Sequence, residues 1–124
     1  MAFIADIKTG DITLVQGDSG ELVLDGLNTD KNYTVYFSVY DSHRNAIGSE
    51  ISVSSNRSST VVIVLSAQFT DLLTVPKKEA AAIYYYGIKV CDTDGFEDTV
   101  CVGDKDIGEL NIITVYPKTV EGAA

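Results

Sequence analysis

His43 is the one histidine in the chain, and it stands in the run Asp41-Ser42-His43-Arg44-Asn45. A carboxylate, a hydroxyl and an imidazole are the parts of a nucleophilic triad. That chemistry needs the imidazole held between the other two. Neighbours in one polar loop do not build such a geometry, so His43 reads as a solvated loop residue. The stretch Asp92-Thr93-Asp94-Gly95-Phe96-Glu97-Asp98 has the flavour of a calcium loop. An EF-hand loop places acids at positions 1, 3, 5 and 12 and glycine at 6. Counted from Asp92, Phe96 falls at 5, Gly103 at 12 and Gly95 at 4, so the match fails. The stretch reads instead as an Asp-Gly hairpin turn with solvated acids, a weak carboxylate ion site at its tip being the alternative. Cys91 and Cys101 with one distant histidine do not make a zinc site. Phosphate-loop, dinucleotide, zincin and nucleophile-elbow signatures are missing. In so acidic a chain any pair of carboxylates chosen for glycosidase work would be arbitrary. The residues therefore point to no catalytic, cofactor or metal site, and to a protein that is not an enzyme.

The element that carries Asp92 and both cysteines is a hairpin, Tyr84 to Val102. Tyr84, Tyr86, Ile88 and Val90 alternate with Tyr85, Gly87, Lys89 and Cys91, the period of two of a half-buried strand. Val100 and Val102 share one face of the returning arm and Thr99 and Cys101 the other. If the valines face the core, both cysteines face away from it. They meet across the strands only with a five-residue loop, Asp94 to Asp98. The commoner three-residue loop with Gly95 left-handed sets Cys91 opposite Glu97. A disulfide also needs an oxidising compartment, so two thiols, buried or at an interface, are the expected state.

Other strand signals surround the hairpin. Phe3 to Lys8, Ile12 to Val15, Glu21 to Leu24, Tyr33 to Tyr40, the Ile51/Val53 segment and Glu109 to Tyr116 are short apolar or alternating runs between turn-forming clusters. Asp41 to Gly48 reads as a loop. Val61 to Leu65 is continuously apolar, as in a strand buried on both faces. Ser66 caps a helical turn in which Phe69, Leu72 and Leu73 share a face, and Pro76 with Ala80 to Ala82 suggests a second short helix. The expected fold is all-β: an antiparallel sandwich of about eight strands, with one or two helical turns near 66–82. A closed barrel is the structural alternative. One domain spans 1–124, with its core in 3–117 and a tail at 118–124.

The 124 residues carry 9 basic and 18 acidic side chains, a net charge of −9. With no basic stripe, binding to nucleic acid or to an anionic membrane surface is not expected. No signal peptide and no membrane-spanning run is expected, which suggests folding in a cytoplasm and sequons that go unglycosylated. Tyr36 and Tyr40 lie on the mixed face of their strand and Tyr85 on the outward face of its own. Exposed aromatics on a sheet mark a protein interface or a sugar platform, unless a second sheet or helix covers them.

The order of these features resembles the N-terminal immunoglobulin-like domain of phage baseplate upper proteins and related tail-fibre anchors. The matching stretches are Gln16-Gly17-Asp18, the Tyr33 to Asp41 strand, Leu65 to Leu73, and Tyr84-Tyr85-Tyr86-Gly87-Ile88 with its Asp-Gly turn. Ala80-Ala81-Ala82 stand where that family usually carries a glycine. The resemblance implies an immunoglobulin-like sandwich and a structural protein of a virion assembled in the host cytoplasm. Its partners would be other phage virion proteins and copies of itself. Tyr36, Tyr40, Tyr85, Cys91, Cys101 and Tyr116 are the candidate contact residues. A tail or baseplate adaptor is the first expectation and a capsid decoration or head-fibre protein the alternative. From another class, a carbohydrate-binding module for host glycans remains open; a secreted adhesin domain would need an export signal.

Overall fold

The computed structural model describes residues 3–5, 10–100 and 111–118, with the side chains of 10–97 and 111–118. Strands β1 (Phe3–Ala5), β2 (Ile12–Val15), β3 (Gly20–Leu24), β4 (Tyr33–Tyr40), β5 (Ala46–Ser54) and β6 (Val61–Leu65) lead to a short helix, α1 (Ala67–Thr70). Strands β7 (Ala82–Asp92), β8 (Glu97–Val100) and β9 (Asn111–Tyr116) follow. The larger sheet has the order β1-β2-β9-β7-β4-β5, with β8 pairing the far half of β7; β3 and β6 form a separate two-stranded sheet. The protein is an all-β sandwich, not a closed barrel. The order β2-β9-β7-β4-β5 facing β3-β6 corresponds to strands A′-G-F-C-C′ facing B-E of an immunoglobulin-like sandwich.

Alternation builds the core. Ile12, Leu14, Val35, Phe37, Val39, Tyr84, Tyr86, Ile88, Val90, Ile113 and Val115 line the inner face of the large sheet and meet Leu22, Val61, Ile63 and Leu65 from the small one. At the centre the Tyr86 and Phe37 rings stack at 5.3 Å. Both rings belong to the large sheet, Phe37 on β4 and Tyr86 on β7. The Tyr86 hydroxyl donates to the carbonyl of Gly10, and that of Tyr84 donates to the Thr74 carbonyl at 2.6 Å. The second bond ties the start of β7 back to the corner after α1.

Ser66 caps α1, its Oγ accepting from Phe69 N at 3.1 Å, as the spacing predicts. Thr70, fully buried, donates to the Asp18 carbonyl at 2.8 Å and ties α1 to the β2–β3 turn.

Four expectations need correction. Val61 to Leu65 is buried on one face only: Val62 and Val64 are 39% and 54% exposed, because nothing among the described residues covers the outer side of the small sheet. No helix forms over 75–82; a single turn, Glu79 N to Pro76 O, is all that Pro76 starts. That segment has no apolar stripe to bury, and the sheet draws Ala82 into β7. The loop after β4 ends sooner than Gly48, since β5 begins at Ala46 and bulges between the residues facing Phe37 and Val39. Finally, the sheet is not purely antiparallel: β2 runs parallel to β9. The expected strand residues 6–8, the start of the last strand at 109–110, Val102, Cys101 and the tail beyond Lys118 lie outside the described residues.

Candidate protein interface

The strand registers define the outer face of the large sheet. Tyr40 stands opposite Tyr85, Ser38 opposite Gly87, Tyr36 opposite Lys89 and Thr34 opposite Cys91. On the far side of β7, Tyr85 faces Ile112 and Lys89 faces Thr99. The structure therefore gathers Tyr36, Tyr40 and Tyr85 on one surface, each half-buried by its neighbours. Tyr116 shares this face, 43% exposed, but at its other end, opposite Val15. Cys91 is also on it.

Tyr36, Lys89, Tyr40 and Tyr85 are the corners of a frame, about 13 Å along the strands and about 5 Å across. Its floor is Ser38 and Gly87, the smallest side chains on the two strands. A β-carbon built on Gly87 meets nothing within 4 Å among the described residues. Gly87 also marks the point where β7 exchanges one partner for another, β9 pairing up to Tyr86 and β8 from Ile88. The result is a notch with aromatic walls. Ser38 Oγ donates to Glu50 Oε2 at 3.1 Å on one side, and Lys89 Nζ lies 3.4 Å from Glu97 Oε1 on the other.

Cys91 is a free thiol whose Sγ donates to Glu97 Oε1 at 3.6 Å. Burial, then the hydrogen bond to Glu97, push its pKa up, which keeps it protonated and weakly nucleophilic. The register sets Glu97 opposite Cys91, the three-residue-loop outcome.

The other candidate chemistry resolves into two matching turns. Asp92 Oδ1 accepts from Asp94 N and Phe96 N, both at 2.9 Å, with Gly95 at φ 87°. Asp41 Oδ1 accepts from His43 N at 2.8 Å and Asn45 N at 2.9 Å, with Arg44 at φ 64°. In both, the aspartate closes a three-residue hairpin loop, and in both the donated N–H groups hold its pKa down. Asp92 has the further help of Lys31 Nζ at 3.4 Å. His43 contributes its backbone, and its neighbour Asp41 is spent on the turn. Among the described residues no three His, Cys, Asp or Glu side chains gather where a metal could bind, and no helix is long and apolar enough to cross a membrane.

Sequence reasoning found the tyrosines through strand parity. It missed the notch, because the partner exchange at Gly87 is a property of the sheet and leaves only an unexplained glycine in a strand. No protein-family model matches the chain, and no curated protein matches its sequence. The class is therefore defined by the fold alone: an immunoglobulin-like β-sandwich with one open aromatic sheet face.

Proposed function

We propose that the chain is a non-enzymatic structural protein, an adaptor of a phage particle that joins its neighbours through the open face of the large sheet. The observation that carries this reading is the tyrosine frame around Gly87. A stable sandwich has no need of aromatic rings on the side facing away from its core. Half-buried tyrosines lose little conformational freedom on contact and bring large apolar area with a polar tip, as protein interfaces favour. The resemblance to baseplate and tail-fibre anchor domains supports a tail position, with head decoration the variant of the same reading.

Labelling purified particles with an antibody to the chain tests it. Tail labelling supports the adaptor, capsid labelling the decoration variant, and unlabelled particles refute both. Tyr40→Ser with Tyr85→Ser is expected to leave the fold intact and to prevent incorporation.

A second reading is favoured by the notch itself. Aromatic walls beside a Ser38–Glu50 hydrogen-bonding pair suit stacking of a sugar ring and recognition of its hydroxyls. A glycan-dependent change in tyrosine fluorescence that disappears in Gly87→Val supports a carbohydrate-binding module; silence across a glycan panel refutes it.

A further inference from the structure

Phe96 is the most exposed large apolar side chain among the described residues, at 62%. It sits at the tip of the β7–β8 hairpin, where its backbone is fixed, its N–H donating to Asp92 Oδ1 and its carbonyl accepting from Asp92 N at 3.0 Å. Docking therefore has little backbone freedom left to remove there. Exposed Asp94 and Glu97 flank it, Glu97 with its Oε1 3.4 Å from Lys89 Nζ. The knob is thus aromatic, with its backbone already set and with Asp94 as the acid at its rim.

The opposite end of the same sheet has the complementary shape. Where β2 and β9 finish and β7 begins, Gln16, Val75, Pro76, Lys77, Glu79, Pro117 and Lys118 line a cleft of about 280 Å³. A cavity of ~150 Å³ already takes a benzene ring. Val75, Pro76 and Pro117 supply its apolar part; most of the lining is polar, from Gln16, Glu79 and the lysines. Lys118 is paired with Asp71 at 2.5 Å, which leaves exposed Lys77 and its neighbour Lys78 as the positive groups facing outward. In a chain of net charge −9, an acidic knob finds little positive surface; Lys77 and Lys78 offer some at this end, against the single exposed carboxylate of Glu79 in the cleft lining. An ammonium beside a phenyl face adds a cation–π attraction.

We infer that the Phe96 tip of one copy docks in the Lys77/Pro76/Pro117 cleft of the next, so that the protein self-associates head to tail. The tip and the cleft lie at opposite ends of β7, which is 11 residues long, roughly 33 Å apart. One copy cannot satisfy itself across that span. A contact between two different surfaces propagates, giving a ring or an open string. This inference uses neither the tyrosine frame nor the notch and stands apart from the function proposed above.

Sedimentation of the full chain over a concentration series into the millimolar range tests it. The mean mass is expected to climb past that of a dimer. Phe96→Ser removes the knob, and Lys77→Glu with Lys78→Glu inverts the rim of the cleft. All these residues are exposed, so both variants should keep the wild-type circular dichroism spectrum and melting curve. Each alone is expected to be monomeric. Mixed in equal amounts, they retain one intact knob and one intact cleft, and should form a heterodimer that grows no further. A wild-type chain monomeric throughout, a Phe96→Ser chain that still oligomerises, or a mixture that stays monomeric overturns the inference. Gly87→Val, which fills the notch, should leave the mass series unchanged. Failure at the tip is thereby separated from failure at the tyrosine face.

Discussion

Gly87 occupies the middle of the longest strand in the larger sheet, a place where glycine is a poor choice. Its backbone is ordinary extended strand, outside the left-handed region. A glycine there is worse than alanine by roughly 0.5–1 kcal/mol, and β-branched residues stand at the favourable end of a strand scale that spans about 1 kcal/mol. The new side chain would enter space free of described atoms within 4 Å, so no overpacking term opposes the gain. Gly87→Val is therefore expected to stabilise the fold by about 1 kcal/mol, about 4 °C in melting temperature for a domain of this size. A urea titration should show the midpoint rising with an unchanged slope. The same substitution fills the notch and should abolish any contact made through it. Stability up and incorporation or sugar response down is the signature of a glycine kept for a surface. A lower urea midpoint would mean that the notch is already occupied in the native chain, and the reasoning about an open site would be wrong. A stabilised variant that still assembles would move the interface elsewhere.

Other substitutions probe the frame that holds this face. Gly48, at φ 69°, would place a β-carbon 2.8 Å from Phe69 Cε1. Gly48→Ala combines a left-handed residue, about 1–2 kcal/mol, with displacement of that ring, and should destabilise by about 2–3 kcal/mol in urea; a change below ~0.5 kcal/mol would contradict it. Tyr86→Phe strands the buried Gly10 carbonyl and should cost about 1–3 kcal/mol, with the slope of the titration unchanged. Arg44→Gly relieves a left-handed side chain at φ 64°. A relief of about 1–2 kcal/mol, less the ~0.4–1 kcal/mol of added unfolded-state freedom, leaves a gain near 0.5–1 kcal/mol; a loss would show that Arg44 makes a contact of its own. Asp41 and Asp92 are held below the ordinary value of 3.8. Their contribution is fully present above that value and is lost as pH falls through the lower folded values. Denaturation midpoints should fall on acidification below about pH 4, and a flat profile would show the turns to be indifferent to these carboxylates.

The large sheet was legible wherever one face is buried, because a slip of one residue would turn every side chain over. Tyr33 to Tyr40 and Tyr84 to Val90 follow that rule, and the placement of Tyr36, Tyr40 and Tyr85 on one outer face follows from it. Val61 to Leu65 misled because a continuous apolar run carries no record of which side is covered. Its outer valines are exposed on a sheet of only two strands. Residues 75–82 misled because alanine propensity is a weak preference that a neighbouring strand overrides. The parallel pairing of β2 with β9 joins distant ends of the chain, and no local pattern encodes it.

The two aspartate turns show where local sequence does and does not reveal geometry. D-T-D-G-F announces itself through Asp-Gly, whereas D-S-H-R-N looks like a polar loop around a histidine. Yet the hydrogen bonds are the same, residue for residue. The shared determinant is the first aspartate, whose carboxylate collects N–H groups two and four residues on and so replaces ladder bonds that the loop cannot make. Once that carboxylate is engaged, the fourth residue must turn left-handed whether or not it is glycine, and the cost falls on Arg44. In each turn the acid that chemistry would need is already bound to its own backbone. What remains free is the third or fifth side chain, His43 on one tip and Phe96 on the other. Of these, Phe96 alone presents apolar surface that a partner would gain by covering.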